Sequence, residues 1–165
     1  MSLKRVRTPC VGVCSTTFGD TVCRGCRRFL HEVVNWNAYN DQQKAVVWQR
    51  LDGFMRLVVS NYLTVLDAQQ LQAQLDYQNL RYQAELSPEG WVPELLKAAG
   101  EQPLDWAQFG LAPRPDADGQ TPRQLYDQIC AELHALSQAH YERAHVRPVR
   151  QLSELLQEER PTEAP

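Results

Sequence analysis

Thr8-Pro9-Cys10-Val11-Gly12-Val13-Cys14, followed after eight residues by Cys23-Arg24-Gly25-Cys26, sets four thiols in two close pairs near one end of the chain. Pairs of this spacing can converge four sulfurs on one ion with tetrahedral geometry. Gly12 inside the first pair and Gly25 inside the second suit tight turns, and Gly19-Asp20 can reverse the loop between them. A segment so short and polar buries too little apolar surface to hold its own shape, so ligation would supply its folding energy. Disulfides need an oxidising compartment, which this N-terminus does not suggest. A thioredoxin-like pair would open a helix after a strand in a βαβ chain, and that strand pattern is absent. Soft sulfur donors take zinc and iron–sulfur clusters alike. Two compact pairs resemble closed zinc sites, whereas ferredoxin patterns group three cysteines and hold a fourth apart. Zinc is therefore favoured, with an iron–sulfur cluster or a single rubredoxin-type iron as alternatives.

Outward from the cysteines, the chain has 165 residues, 43% of them apolar, enough for one ordinary domain or a small module plus a second. No apolar run approaches the ~20 residues of a membrane span, so no membrane partner is expected. Cys10, Cys14 and Thr16 fall where a signal peptide would need its apolar core. The expectation is a cytoplasmic protein whose thiols stay reduced. Net charge is −3, unevenly spread: residues 1–28 hold six basic side chains against Asp20. That leaves the remainder, with 11 basic and 19 acidic side chains, at −8. Four thiolates and a divalent ion carry −2, so local arginines can serve as charge compensation. Nucleic-acid binding is the sharper reading, with Arg24, Arg27 and Arg28 on phosphates.

Prolines divide the rest of the chain, none falling between Pro9 and Pro88 and six between Pro88 and Pro122. Phe29, Leu30, Val33, Val34 and Trp36 fit a short helix. Asn40 and Gln43 form a capping pair for another, with Val47, Leu51, Phe54, Val58 and Tyr62 inward and a weak point at Gly53. Asp67 caps a glutamine-rich helix with Leu71 and Leu75 inward. Pro93 and Gly100 bracket a short helix over 94–99, with Trp91 and Trp106 beside it. Residues 113–119 read as an exposed loop. Thr121-Pro122-Arg123-Gln124 opens a helix to about His145, with Leu125, Ile129, Leu133 and Leu136 inward. Past Pro148, Leu152 and Leu155 suit one more short helix, and a disordered tail is expected from Gln157. The fold class is mostly α: a small four-cysteine metal-binding knuckle followed by a helical body. The divisions are 8–51 for the module with two short helices, 52–146 for the body and 147–165 for a partly disordered tail.

Thr8 to Cys14, then Val22-Cys-Arg-Gly-Cys26, then Arg28-Phe-Leu-His-Glu-Val33 with Trp36, closely resemble the bacterial family called domain of unknown function 1289, over about residues 8–51. The resemblance implies a cysteine motif ahead of two helices ending near Arg50-Leu51, and a predicted iron–sulfur label that is itself inferred from the cysteines. Arg27 stands where the family carries a small residue.

Other residues carry less. His31, five positions beyond Cys26, and Arg24 are candidates for supporting the ligands. Cys130 and His134 share a helix face but are two ligands only, and read as a half-buried cysteine beside a surface histidine. His140 and His145 read as solvated, forming with His134 at most an adventitious site. Trp36, Trp48, Trp91 and Trp106 read as core anchors. No phosphate loop, nucleophile elbow, His-Glu-x2-His helix or paired-carboxylate motif is present, so no catalytic residue is assigned. The expected function is a metal-binding accessory or interaction protein that docks a protein partner through its helical body. The alternatives are a nucleic-acid-binding zinc module and an iron–sulfur redox or electron-transfer protein.

Overall fold

Asn40 Oδ1 accepts from the Gln43 amide at 2.9 Å while Gln43 Oε1 accepts from the Asn40 amide at 3.0 Å. These reciprocal bonds satisfy two donors that a helix start leaves free. The computed structural model describes residues 6–158. Along them run α1 (Leu30–Val34), α2 (Asp41–Tyr62), β1 (Leu63–Val65), α3 (Ala68–Tyr77), α4 (Pro88–Ala99), β2 (Leu111–Pro113), α5 (Pro122–Tyr141) and α6 (Arg147–Glu158). Helices dominate, as the sequence implies.

Helix α2 passes its weak point at Gly53 unbroken. Beyond that glycine, Val58 (4% exposed), Val59 (0%) and Tyr62 (8%) are buried in a core shared with α4 and α5. Burying a valine side chain is worth ~1.5–3 kcal/mol, more than the ~1 kcal/mol that a mid-helix glycine costs. The helix also runs straight through residues 51 and 52, so the module's second helix and the body's first are one element. The Tyr62 hydroxyl donates to Glu132 of α5, tying the far end of α2 in place. That bond, with burial, pushes the Tyr62 hydroxyl up to about 12.

Helix α4 begins six residues before its expected start. Ser87 donates to Asp52 Oδ1 of α2 through its amide at 3.0 Å and its hydroxyl at 2.8 Å. Pro88 takes the first helical position, where a missing N–H costs nothing, and Pro93 lies inside the helix. Trp91 therefore sits on α4 rather than beside it, its Nε1 donating to Gln83 O at 2.9 Å. Burial of Trp91, Val92, Leu95 and Leu96 outweighs the hydrogen bond lost at Pro93.

Asp67 caps α3 through the Gln70 amide at 2.9 Å, and Leu71 and Leu75 are fully buried as expected. No strand is expected from the sequence, yet β1 and β2 pair antiparallel in the register Leu63↔Pro113, Thr64↔Ala112, Val65↔Leu111. The expected loop over 113–119 is partly structured, with a 3-10 turn at Pro115–Ala117 whose Ala117 is buried. Thr121 and Gln124 form the expected reciprocal cap of α5. That helix does not end near His145: a π-turn over Glu142–Val146 leads straight into α6, with Pro148 in its first turn. A proline inside such a run forgoes one backbone hydrogen bond, and the π-turn falls just before it. Residues 157 and 158 are helical, and the expected disorder beyond them lies outside the described residues.

A Cβ added at Gly53 meets nothing within 4 Å. Gly53→Ala should therefore raise stability by ~1 kcal/mol in urea unfolding. Leu71→Ala, in the sealed core, should lower it by ~2–5 kcal/mol.

Candidate metal centre

Val22 and Phe29 form an antiparallel bridge, and the Cys23 amide donates to Arg28 O at 2.9 Å. Between them the Arg27 amide donates back to Cys23 O at 2.8 Å. The result is a tight hairpin with Cys23 and Cys26 at its tip. Arg27 closes it in the left-handed region, φ 59°, which costs a residue with a Cβ ~1–2 kcal/mol. A small residue at this position has that physical reason. Arg27 offsets part of the cost by donating from Nη1 to Gly25 O at 2.6 Å.

Cys23 is buried, and its Sγ accepts from the backbone amides of Cys26, Ser15 and Gly25. Burial pushes this thiol up, but the amides together with the Cys26 side chain outweigh it and bring it down to about 7. Cys26 is buried too, and burial raises its thiol against the opposing Arg28, whose Nε donates to Cys26 Sγ at 3.3 Å. Amide and guanidinium donors aimed at sulfur stabilise the thiolate, the form that binds a metal.

The first pair's loop lies against this hairpin. A Cβ at Gly25 would stand 2.7 Å from Val13 O and 2.8 Å from Val11 Cγ2, and Cys23 Sγ is 3.7 Å from Val13 O. Ser15 Oγ accepts the Arg24 amide at 2.8 Å. Cys10 and Cys14 engage their own loop: the Gly12 amide donates to Cys10 Sγ at 3.4 Å, and Cys14 Sγ is 3.0 Å from Thr16 Oγ1. The backbone thus brings the two loops together and the Cys23–Cys26 pair is preformed. Among the described residues no group of three or more His, Cys, Asp or Glu side chains is placed to hold an ion. Four thiols are donors that a soft metal takes, and of the second pair Cys23 is already in thiolate-stabilising surroundings.

The three arginines expected on phosphates have separate surroundings. Arg28 is 3% exposed, held to Cys26 Sγ with its guanidinium 4.8 Å from the Trp36 ring centroid. Arg27 is half-buried, and Arg24 is exposed but paired with Asp20 at 2.9 Å. The Arg24 backbone amide donates to Ser15 Oγ and so joins the two loops. His31 packs in an aromatic group, 5.8 Å from Phe29 and 4.7 Å from His145 between ring centroids. His145 and His140 are exposed yet stacked, His140 on Phe54 at 4.5 Å. Cys130 pairs with the Tyr126 hydroxyl. His134 is half-buried rather than on the surface, and neither ring nitrogen has a partner.

Two supports escape sequence reasoning. Ser15 joins the loops, and a hydroxyl directly after Cys14 is its only sequence signal. Glu32, 6% exposed, accepts from the Phe29 amide at 2.8 Å and from Arg50 Nη2 at 2.5 Å, joining α1 to α2. An acid on a short apolar helix is a faint signal of such a pair. Because Val13 O is backbone, Gly25→Ala should separate the loops. Overpacking of this kind costs ~1–3 kcal/mol, so Cys23 should be alkylated about tenfold faster or more in metal-free protein, as read by mass spectrometry.

No helix among the described residues is long and apolar enough to cross a membrane. Comparison with curated proteins and with solved structures returns no match. The model of the family described as protein of unknown function (DUF1289) matches residues 8–55, the stretch that holds both cysteine pairs, α1 and the first part of α2. Residues 8–55 are accordingly a segment of the DUF1289 family.

Proposed function

We propose that Cys10, Cys14, Cys23 and Cys26 bind one zinc ion, and that the chain is a metal-binding accessory protein in a reducing compartment. The observation that carries this reading is the Cys23 sulfur, buried yet surrounded by the amides of Ser15, Gly25 and Cys26. Ser15 belongs to the first pair's loop and the other two to the second, so one sulfur already engages both. When bound, zinc supplies cross-linking without a redox step. Arg28 sets a buried positive charge against Cys26, which suits a centre of net negative charge. The Trp36 ring lies against that guanidinium, 4.8 Å from its centroid. A protein partner fits the helix that continues the body, α6, which exposes Leu152, Leu155 and Leu156. Burial of Arg28 weighs against nucleic acid as the partner.

Protein purified without oxygen should carry about one equivalent of zinc by elemental analysis and be colourless. Stoichiometric iron with brown or red absorbance would overturn zinc and favour redox chemistry on the same ligands. Cys23→Ser should lose the metal, while Cys130→Ser should retain it. Equal loss in both variants would overturn the ligand set.

A further inference from the structure

A cavity of about 480 Å³ separates the cysteine hairpin from the helical body, within the ~300–1,000 Å³ range of small-molecule sites. Its apolar wall comes from Leu51, Phe54 and Met55 of α2, Leu86, and Leu133 of α5. Its charged wall is cationic: Arg7, Arg24, Arg27, Arg81 and Lys97 line it against two carboxylates, Asp52 and Glu94. Asp52 is already used by the amide and hydroxyl of Ser87.

Two polar groups on the lining have no partner. Ser137 is 0% exposed and its Oγ makes no hydrogen bond, and Arg27 Nε is buried and equally unmet. Buried donors without acceptors are rare in folded proteins because each forfeits its bond to water. Arg27 is also oriented in advance. Its Nη1 is fixed on Gly25 O, leaving open the Nε edge, on which a carboxylate can be held by two parallel N–H···O bonds. An apolar wall beside one oriented guanidinium edge suits a ligand with a planar anionic head and a hydrocarbon body.

We propose that this cavity binds a medium-chain carboxylate, its head on the Nε edge of Arg27 and its chain along Leu51, Phe54, Met55 and Leu133. Ser137 provides a second polar point in the wall. Cys26 also lines the cavity, but none of the groups proposed to hold the ligand is a cysteine.

The test uses the full-length protein labelled at its methionine methyl groups, with decanoate as the probe below its micelle-forming concentration. The chain has only Met1 and Met55, and Met55 lines the cavity. The Met55 methyl resonance should shift and saturate at one equivalent of decanoate. Decanol should bind more weakly, and decyltrimethylammonium should not compete. Arg27→Gly removes the guanidinium while relieving the left-handed backbone, so it should fold and bind decanoate at least about tenfold more weakly. Four results would each overturn the proposal: no saturable shift, decanoate binding that leaves Met55 unmoved, equal binding of the cationic probe, or parent affinity in folded Arg27→Gly.

Discussion

Burial of Val58, Val59 and Tyr62 against α4 and α5 holds α2 as one rod across Gly53, and the rest of the molecule is arranged along that rod. Its C-terminal half belongs to the body's core. Its N-terminal half carries the hairpin, through Arg50 on Glu32 and with the Arg50 guanidinium 3.9 Å from the Phe29 ring centroid. Lys44 lies 5.9 Å from Trp36 on the same half. The family match ends at residue 55, just before Val58 and Val59. What the family segment shares with the body is therefore a continuous helix rather than a linker, and a disturbance of the hairpin has a rigid element to act on.

Three basic positions around the second cysteine pair have separate surroundings because a hairpin tip sends neighbouring side chains in different directions. Arg24 meets solvent and Asp20, Arg27 lines the cavity, and Arg28 is sealed between Cys26 and Trp36. The charge of these three described arginines is thus divided among an exposed pair, a cavity wall and a sulfur, with no continuous basic stripe along them of the kind that tracks a phosphate backbone.

Local signals are legible in the sequence and distant ones are not. The caps at Asn40, Asp67 and Thr121 each depend on residues three apart, so their side chains declare them in any context. Gly53 and Pro93 mislead because both are unfavourable locally and are overridden by burial supplied from other helices. Pro148 misleads because the helical run continues through it, with a π-turn just before the proline. The pairing of residues 63–65 with 111–113 joins segments far apart in the chain and leaves no periodic trace in three-residue strands. At the site, the two cysteine pairs and Gly25 can be read from spacing. The burial of Arg28, the turning of His31 toward His145 and the cavity walls depend on where α2 and α5 meet the hairpin, which no local pattern encodes.

The proposed centre is tested most directly by X-ray absorption at the edge of whichever metal copurifies with the full-length protein. Four thiolates on zinc predict a single shell of four sulfurs at ~2.3 Å and no histidine signature. A shell of nitrogen or oxygen, or one with two sulfurs only, would contradict the assignment of Cys10, Cys14, Cys23 and Cys26 to one ion.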